Sequence, residues 1–372
     1  MLRQIRSTFI LRKIINYIPK RIYLNIINYN KNLQKKLNIS IIDYKEYNQI
    51  EVELRVNKMR ESFSRFINLN EKDKPHIHIF ISNNKKKEYN RFFLKPGKKI
   101  VKLRILIDLE IKSFKGLFKY CDCIKEIKFI KFNRKDIIDM SDMFYGCKNL
   151  IKLDFSNFNT DKVTDMSFMF YDCSSLKELN LNKFNTTNVV KMVSTFHGCS
   201  SLKKLNISSF QTNKVINMCA MFQECKLLKE LNLSNFRTGE VKNMSNMFYE
   251  CEEIKSLNIS SFDTSKVVNM SYMFNGCSKL IDLDISNFEI NKENKYNYMF
   301  SFCQKKLKEK IKLQNKNLKN DAFEDHKKRD LFSESRFELF GFNENLNDVQ
   351  PINPLELFFL PHEENYDDNG NN

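Results

Sequence analysis

The sequence predicts an α/β repeat solenoid in which a short helix and a strand alternate along a stack of similar units. The first observation is a cysteine that recurs every 26 residues, at Cys121, Cys147, Cys173, Cys199, Cys225, Cys251, Cys277 and Cys303. The second is a phenylalanine that stands three residues before each cysteine, from Phe118 to Phe300. The third is a change from helical to strand-like periodicity within each copy. Self-similarity at this period is typical of repeat proteins.

The first half of each copy is predicted to be a short helix. In the copy that begins at Met244, the apolar residues Met247, Phe248 and Cys251 follow at i+3, i+4 and i+7, which is one face of a helix. Asn243 precedes the run as a predicted N-cap, and Asp or Asn holds this position in several other copies. We therefore expect the cap and the helix to recur together.

The second half of each copy is predicted to be a strand. Ile254, Leu257 and Ile259 follow the L-x-x-L-x-L spacing that marks the strand of leucine-rich repeats. A helix of about eight residues and a strand of about five cannot bury their apolar faces alone, so neighbouring copies must stack. We expect the strands to form one parallel sheet, with the phenylalanine and cysteine rings and thiols inside.

Four segments are predicted along the chain. They are a helical unit at 1–47, a β-rich cap at 48–113, the repeats at 114–313 and an acidic, disordered tail at 314–372. In the first segment, Ser7 caps a helix that Pro19 ends, and further helix is expected around Ile26 and Ile27. In the second, apolar runs at 76–81, 92–94 and 100–111 indicate strands.

The unit from Met244 to Asn269, MSNMFYECEEIKSLNISSFDTSKVVN, resembles the BspA-like leucine-rich repeat family. The shared pattern is MSxMFxxC followed by LxxLxLSxFxTxxVxxM, and it extends over residues 114–303. The resemblance implies a stacked repeat array that binds other molecules. Bacterial members are often exported surface adhesins, whereas many similar arrays are intracellular, and the resemblance does not choose between them.

Residues 7–37 resemble an F-box-type helical module, with ILRKIINYI at the place of its first apolar helix. The resemblance implies that these helices dock on a Skp-type adaptor of a ubiquitin ligase while the repeats hold a substrate. Such modules normally carry a Trp near their end, and this chain contains none. The alternative is a helical cap or a basic amphipathic segment.

The charge of the chain is unevenly distributed. The formal net charge is +17, whereas residues 321–372 hold 13 acidic residues against Lys327, Lys328, Arg329 and Arg336, a local charge of 4 − 13 = −9. No window holds 18 uncharged apolar residues, so no transmembrane segment is predicted. Basic residues interrupt the apolar run at the N-terminus, and a cytoplasmic location is expected, with the cell surface or secretion as the alternative.

The sequence predicts no enzyme. The eight glycines form no phosphate-binding loop, the five histidines have no nucleophile at a recognisable spacing, and no cofactor or small-molecule substrate is indicated. The recurring cysteines are predicted to be reduced core residues. Cys121 with Cys123, and His197 with Cys199, are the only local metal-like groupings, and neither has the paired spacing of a zinc site, so no metal is assigned.

We therefore predict a protein-protein interaction module, whose exposed sheet face binds a protein or peptide. Strand positions that alternate with the buried leucines form the candidate binding face. These residues are Lys152, Asp154, Glu178, Asn180, Lys204, Asn206, Glu230, Asn232, Asn258, Asp282 and Asp284. A uniform Asn row among them is expected to form a structural ladder of hydrogen bonds. The alternatives to protein binding are a surface adhesin and nucleic-acid binding through the basic N-terminal half.

Overall fold

The fold is mostly β, with a few helices and a mixed sheet that does not close, in a computed structural model. It describes residues 7–18, 22, 24, 30–38, 41–57, 63–81, 89, 91–97 and 100–325. The predicted helix around Ile26 and Ile27 and the acidic tail beyond residue 325 lie outside the described residues. No helix within these ranges is long and apolar enough to cross a membrane.

Three helices precede the first strand. They are α1 (Thr8–Asn16), α2 (Lys31–Leu37) and α3 (Ile41–Asn48). The side chain of Asn30 caps α2 by accepting a hydrogen bond from the Leu33 backbone N–H at 3.2 Å, and Asn38 ends the helix in the left-handed region. Leu11, Leu33 and Leu37 are buried. The apolar stripe of these short helices therefore turns inward, as their spacing predicts.

A five-stranded mixed sheet follows, in the order β3-β5-β1-β6-β7. Its strands are β1 (Ile50–Asn57), β3 (Ile77–Ile81), β5 (Ile100–Ile107), β6 (Ile124–Lys131) and β7 (Lys152–Asp154); β2 (Ser64–Arg65) and β4 (Phe93–Leu94) form a separate pair. A 3-10 helix (Glu71–His76) leads into β3. Strands β3, β5, β1 and β6 pair antiparallel, and β6 pairs parallel with β7. The sheet thus joins the region before the repeats to the first two copies.

Strand β1 alternates buried apolar residues with outward charged ones. Val52, Leu54 and Val56 are fully buried, while Glu53 and Arg55 point to the opposite, open face. Its alternation is typical of a half-buried strand, although the runs named from the sequence did not include it. The three runs that were named each contain a strand, at β3, β4 and β5.

Strands within the repeats are short and pair with the strand 26 residues away. Besides β6 and β7, they are β8 (Glu178–Asn180) with β9 (Lys204–Asn206), and β10 (Ser256–Leu257) with β11 (Asp282–Leu283), all in parallel. The prediction of one continuous parallel sheet is therefore wrong, because hydrogen bonding breaks the strands into separate pairs. Each long enough strand ends at an Asp or Asn whose side chain closes a tight turn, which leaves only two or three residues to pair.

A second line of parallel contacts runs beside the strands. Seven consecutive backbone bridges connect Ser113, Asp139, Asp165, Lys191, Asn217, Asn243, Asn269 and Lys295, each to the residue 26 positions on. These are the positions predicted as N-caps. Asn243 accepts a hydrogen bond from the Ser245 backbone N–H at 2.9 Å, so its side chain stabilises a local turn instead of a helix start.

The helix predicted in each copy is wrong, because the backbone there forms two consecutive tight turns. In the Met244 copy, Asn246 has φ +56° and Glu250 has φ +53°, values that no right-handed helix accommodates. The backbone N–H groups of Met244, Asn246, Phe248 and Glu250 donate instead to the carbonyl oxygens of Asn269, Ser271, Met273 and Asn275 in the next copy. The hydrogen bonds that a helix would make internally thus connect neighbouring copies.

The apolar residues of these turns form columns through the core. Phe118, Phe144, Phe170, Phe196, Phe222, Phe248, Phe274 and Phe300 stack with ring centroids 5.5–5.7 Å apart. Each thiol from Cys147 to Cys303 donates to the carbonyl oxygen of the phenylalanine 29 residues before it, at 3.0–3.2 Å. All ten cysteines are free and buried. Burial raises the pKa of Cys199 to about 12, which keeps this thiol protonated at neutral pH.

The C-terminal end of the array is covered by α4 (Lys305–Gln314) and a 3-10 helix (Asn320–Ala322). Leu307 and Ile311 are buried, and the Phe323 ring stacks on Phe300 at 5.6 Å. The segment after the last cysteine therefore closes the apolar end of the phenylalanine column, as the sequence predicts.

Candidate partner-binding surface

The candidate binding residues form two rows on the open side of the repeat strands, and we call this surface the strand face. The first row holds Asp154, Asn180, Asn206, Asn232, Asn258 and Asp284. The second holds Lys152, Glu178, Lys204, Glu230, Ser256 and Asp282. All of these residues are exposed except Asp154, which is half-buried. The outward orientation expected from strand alternation is therefore observed.

The first row does not form the expected ladder between copies. Each of its side chains accepts a hydrogen bond from the backbone N–H two residues later, at 2.8–3.2 Å. This local turn lowers the pKa of Asp154 and of Asp284, since the backbone N–H of Ser156 or Ser286 stabilises the carboxylate. The uniformity of the row follows from the turn that ends each strand.

The second row alternates in charge along the array. Lys152, Glu178, Lys204 and Glu230 succeed one another at 26-residue intervals, and the sheet registers place Glu126 beside Lys152. Lys204 Nζ lies 3.0 Å from Glu178 Oε1, and Lys310 Nζ of α4 lies 3.2 Å from Asp282 Oδ1. Exposed pairs of this kind contribute roughly 0–1 kcal/mol to stability. The row therefore adds little to the fold.

The strand face continues onto the mixed sheet. A cavity at this junction is lined by Glu53, Arg55, Lys102, Glu126, Lys128, Lys152 and Asp154. Arg55 pairs with Glu126 at 2.8 Å, while Lys102 and Lys152 form no ion pair with another described residue. Five of these seven residues were missed from the sequence. The alternation of IEVELRVN in β1 is the signal that could have found two of them.

Polar side chains elsewhere in the repeats hold the copies together. The hydroxyls of Thr160, Thr186, Thr212 and Thr238 are buried and donate to a carbonyl oxygen of the next copy at 2.8–2.9 Å. Within the described residues, by contrast, no side chain of the second row is hydrogen-bonded to a backbone group. The threonine column is structural, and the second row is available for contacts with another molecule.

An aromatic row lies on the turn side of the array and was not predicted. Tyr145 and Tyr171 stack at 4.4 Å, and the His197 ring lies 4.4 Å from Tyr171. His197 Nε2 is 3.5 Å from Glu224 Oε1, and this hydrogen bond lowers the pKa of Glu224. The Cys199 thiol donates to the Phe170 carbonyl, so the metal-like pair of His197 and Cys199 has other partners.

Cys121 and Cys123 are likewise engaged with the backbone. The Cys123 thiol donates to the Arg65 carbonyl oxygen at 2.8 Å, and the Cys121 thiol lies 3.7 Å from the Lys119 carbonyl oxygen. Burial raises the pKa of both thiols. The Cys-x-Cys spacing therefore belongs to the core packing between the repeats and the strands before them.

A separate polar group lies at the β3–β5 side of the mixed sheet. His76 and His78 come from the start of β3, and Asp108 and Glu110 follow β5. One ligand atom each from His76, Asp108 and Glu110 lies within 4.8 Å of the others. The sequence carries this group as His-x-His and Asp-x-Glu, two short patterns that lie 30 residues apart and meet only in the sheet.

The fold and the strand face define a class: a mostly β repeat protein whose copies are linked by parallel backbone contacts and carry an exposed charged face. Two overlapping stretches, residues 112–231 and 191–315, match the family described as Mycoplasma protein of unknown function, DUF285. Together they span more than half of the 372 residues, and the chain belongs to this family. In broad terms this is a BspA-like repeat family, as the repeat pattern indicates. No curated protein matches the chain.

Proposed function

We propose that the chain is a protein-binding module, in which the stacked repeats form a leucine-rich-repeat-like solenoid and the strand face holds a protein or peptide. The observation that carries this proposal is the second row. Its long charged side chains are exposed, alternate in sign and bond only to one another, whereas polar groups elsewhere fix the backbone. A surface with no structural duty is free to take part in binding.

The chemistry of the strand face favours an extended, polar partner. Alternating lysine and glutamate side chains recognise a segment whose own charges alternate, because like charges placed opposite one another are disfavoured. The asparagine row beside them uses one side-chain oxygen in the local turn, and its amide N–H groups remain available as donors. A folded domain that presents such a segment satisfies the same pattern.

The first test uses a displayed library of random peptides, selected on the full chain. The double variant Lys204→Ala with Glu230→Ala should lower the affinity for selected peptides about tenfold or more, since both charges lie in the second row. Its melting temperature should stay within about 2 °C of the parent, because exposed pairs contribute little.

The matched control is Lys266→Ala with Glu240→Ala. These residues form a similarly exposed ion pair at 2.6 Å, but at a turn away from the strand face. The control removes the same two charges and should leave peptide affinity unchanged. Equal losses in the two double variants, or none in the first, would reject the strand face as the binding surface.

We also propose that α1 docks on a Skp-type adaptor, which would make the protein a substrate receptor of a ubiquitin ligase. The supporting observation is that Phe9, Ile10 and Tyr17 are 67%, 50% and 89% exposed on one short segment. Large apolar side chains in such a group are typical of a contact site. A purified Skp-type adaptor should bind the full chain and fail to bind a variant with Phe9→Ala and Tyr17→Ala; equal binding of both contradicts the proposal.

We place the protein in the cytoplasm on the evidence of its thiols. All ten cysteines are free and buried, and those of the array donate to backbone carbonyls at fixed distances. A fold that uses protonated thiols in this way suits a reducing compartment. Protease treatment of intact cells tests this location, since a surface-exposed adhesin would be cleaved.

A further inference from the structure

Four metal-ligand side chains converge on one face of the mixed sheet, apart from the strand face. The antiparallel register pairs Ile77 with Ile107, so that His76 stands opposite Asp108. The Asp108 backbone N–H donates to the His76 carbonyl oxygen at 3.0 Å, which fixes this alignment. Ile77 and Ile79 are buried, and His78 between them therefore points to the same open face as Asp108.

The distances between these side chains are close to those of a coordination shell. His78 Nε2 lies 3.1 Å from Asp108 Oδ2, and His76 Nδ1 lies 3.9 Å from Glu110 Oε2. In a tetrahedral site with bonds of about 2.0–2.2 Å, ligand atoms are about 3.3 Å apart. Only small rotations of half-exposed side chains separate the observed group from that geometry.

The second oxygen of each carboxylate is held by a neighbour. Gln49 Nε2 donates to Asp108 Oδ1 at 2.8 Å, and Lys45 Nζ lies 3.0 Å from Glu110 Oε1. These contacts leave Asp108 Oδ2 and Glu110 Oε2 directed at the imidazoles. Carboxylate ligands of metal sites are oriented by hydrogen bonds of this type. The arrangement thus has both a set of ligands and an outer shell that positions them.

We propose that His76, His78, Asp108 and Glu110 bind a divalent transition-metal ion, with Zn²⁺ as the best-suited ion. Imidazole nitrogen and carboxylate oxygen together are ligands for zinc, whereas calcium and magnesium take oxygen ligands. Lys45 stays on the outer oxygen of Glu110 and offsets part of the second negative charge. The ion would clamp β3 to the end of β5, and Lys45 and Gln49 would extend the clamp to α3 and the residue after it.

The test is a titration of the full chain with Zn²⁺ alone, followed with a chromophoric competitor, and with Co²⁺, followed by visible absorption. We expect one ion per chain and the intense visible bands of four-coordinate Co²⁺. The variant His76→Asn with His78→Asn should bind about 100-fold more weakly, because it removes both nitrogen ligands. Gln49→Leu should weaken binding about tenfold through the outer shell.

The matched control removes two other carboxylates, in Asp161→Asn with Glu240→Gln, and should leave zinc affinity and the Co²⁺ spectrum unchanged. Both residues are half-buried or exposed and each pairs with a lysine, as Glu110 does. If the histidine variant loses its circular dichroism spectrum, Glu110→Gln replaces it, with the same expected direction. Equal zinc affinity in the parent and the ligand variants, or no visible Co²⁺ bands, overturns the proposal and indicates adventitious binding only.

Discussion

Single residues in this protein show how the same side-chain type serves two purposes according to its position. Asn180 closes a turn with its own backbone, whereas Asn157 reaches back 27 residues to donate to the Ile130 carbonyl oxygen at 3.0 Å. Position in the 26-residue unit, and not residue type, decides which bond forms. A sequence pattern that counts asparagines cannot separate these roles.

Asp161 gives a prediction about pH at this scale. The Lys135 ammonium donates to its carboxylate at 2.6 Å, and this hydrogen bond lowers the pKa of Asp161 to about 2. A carboxylate whose pKa is lowered by folding stabilises the fold above its unfolded pKa, and this stabilisation is lost as the pH falls from about 4 to about 2.

Asp161→Asn should therefore destabilise the protein by about 1 kcal/mol near pH 6, after allowance for solvent screening of a side chain that is 31% exposed. The difference from the parent should vanish near pH 2 in urea unfolding curves. Lys135→Gln should remove most of the same pH dependence. A difference that stays constant between pH 6 and pH 2 would show that the ion pair is not its source.

At the scale of elements, the turns of each copy determine how the array is built. The apolar spacing correctly predicted that Met244, Met247, Phe248 and Cys251 are buried, yet it predicted the wrong backbone. Spacing reports which side chains face the core, and two consecutive turns bring i, i+3, i+4 and i+7 inward as well as a helix does. The deciding feature, a left-handed residue at two positions of each copy, is occupied by many residue types and leaves no sequence signal.

Ala220 provides a test of the turn against the helix. It is fully buried and has φ +54°, a conformation that costs an L-residue about 1–2 kcal/mol and costs glycine almost nothing. Ala220→Gly should leave the free energy of unfolding unchanged or raise it by up to about 1 kcal/mol. In a helix the same change would lower it by about 1 kcal/mol, so chemical denaturation gives opposite signs for the two backbones.

The candidate surface was predictable only in part, for a related reason. Alternation within a strand identified which repeat residues point outward, but it could not show that Glu53, Arg55 and Lys102 join the same face. Those contacts depend on β1 pairing with β5 and β6, which lie far apart in sequence. The group of His76, Asp108 and Glu110 was missed for the same cause, since the register of β3 with β5 creates it.

For the whole molecule, the ends of the array are as specific as its interior. The backbone N–H groups of Tyr298 and Phe300 in the last copy donate to the carbonyl oxygens of Asp321 and Ala322, each at 2.8 Å. Residues 319–325 thus replace the carbonyl groups that a further copy would supply. The stack ends because this segment resembles the next copy in its bonds but not in its sequence.

A chain truncated after Cys303 should therefore lose amide protection in the last copy first. Hydrogen exchange should rise in residues 270–303 and stay slow around 140–190, because stability in a repeat array depends on nearest neighbours. Truncation after His326 is the control, since it keeps Phe323 and α4 and removes only the residues beyond them. Equal exchange in both truncations would mean that α4 and residues 319–325 do not protect the end.

The direction of the bonds between copies has a consequence for how such a protein changes in length. Every copy presents N–H donors to its successor and carbonyl acceptors to its predecessor, at the same 26-residue offset. A duplicated unit therefore meets matching neighbours wherever it enters the interior. Tandem duplication and deletion can lengthen or shorten the binding face in 26-residue steps without any change to either terminus.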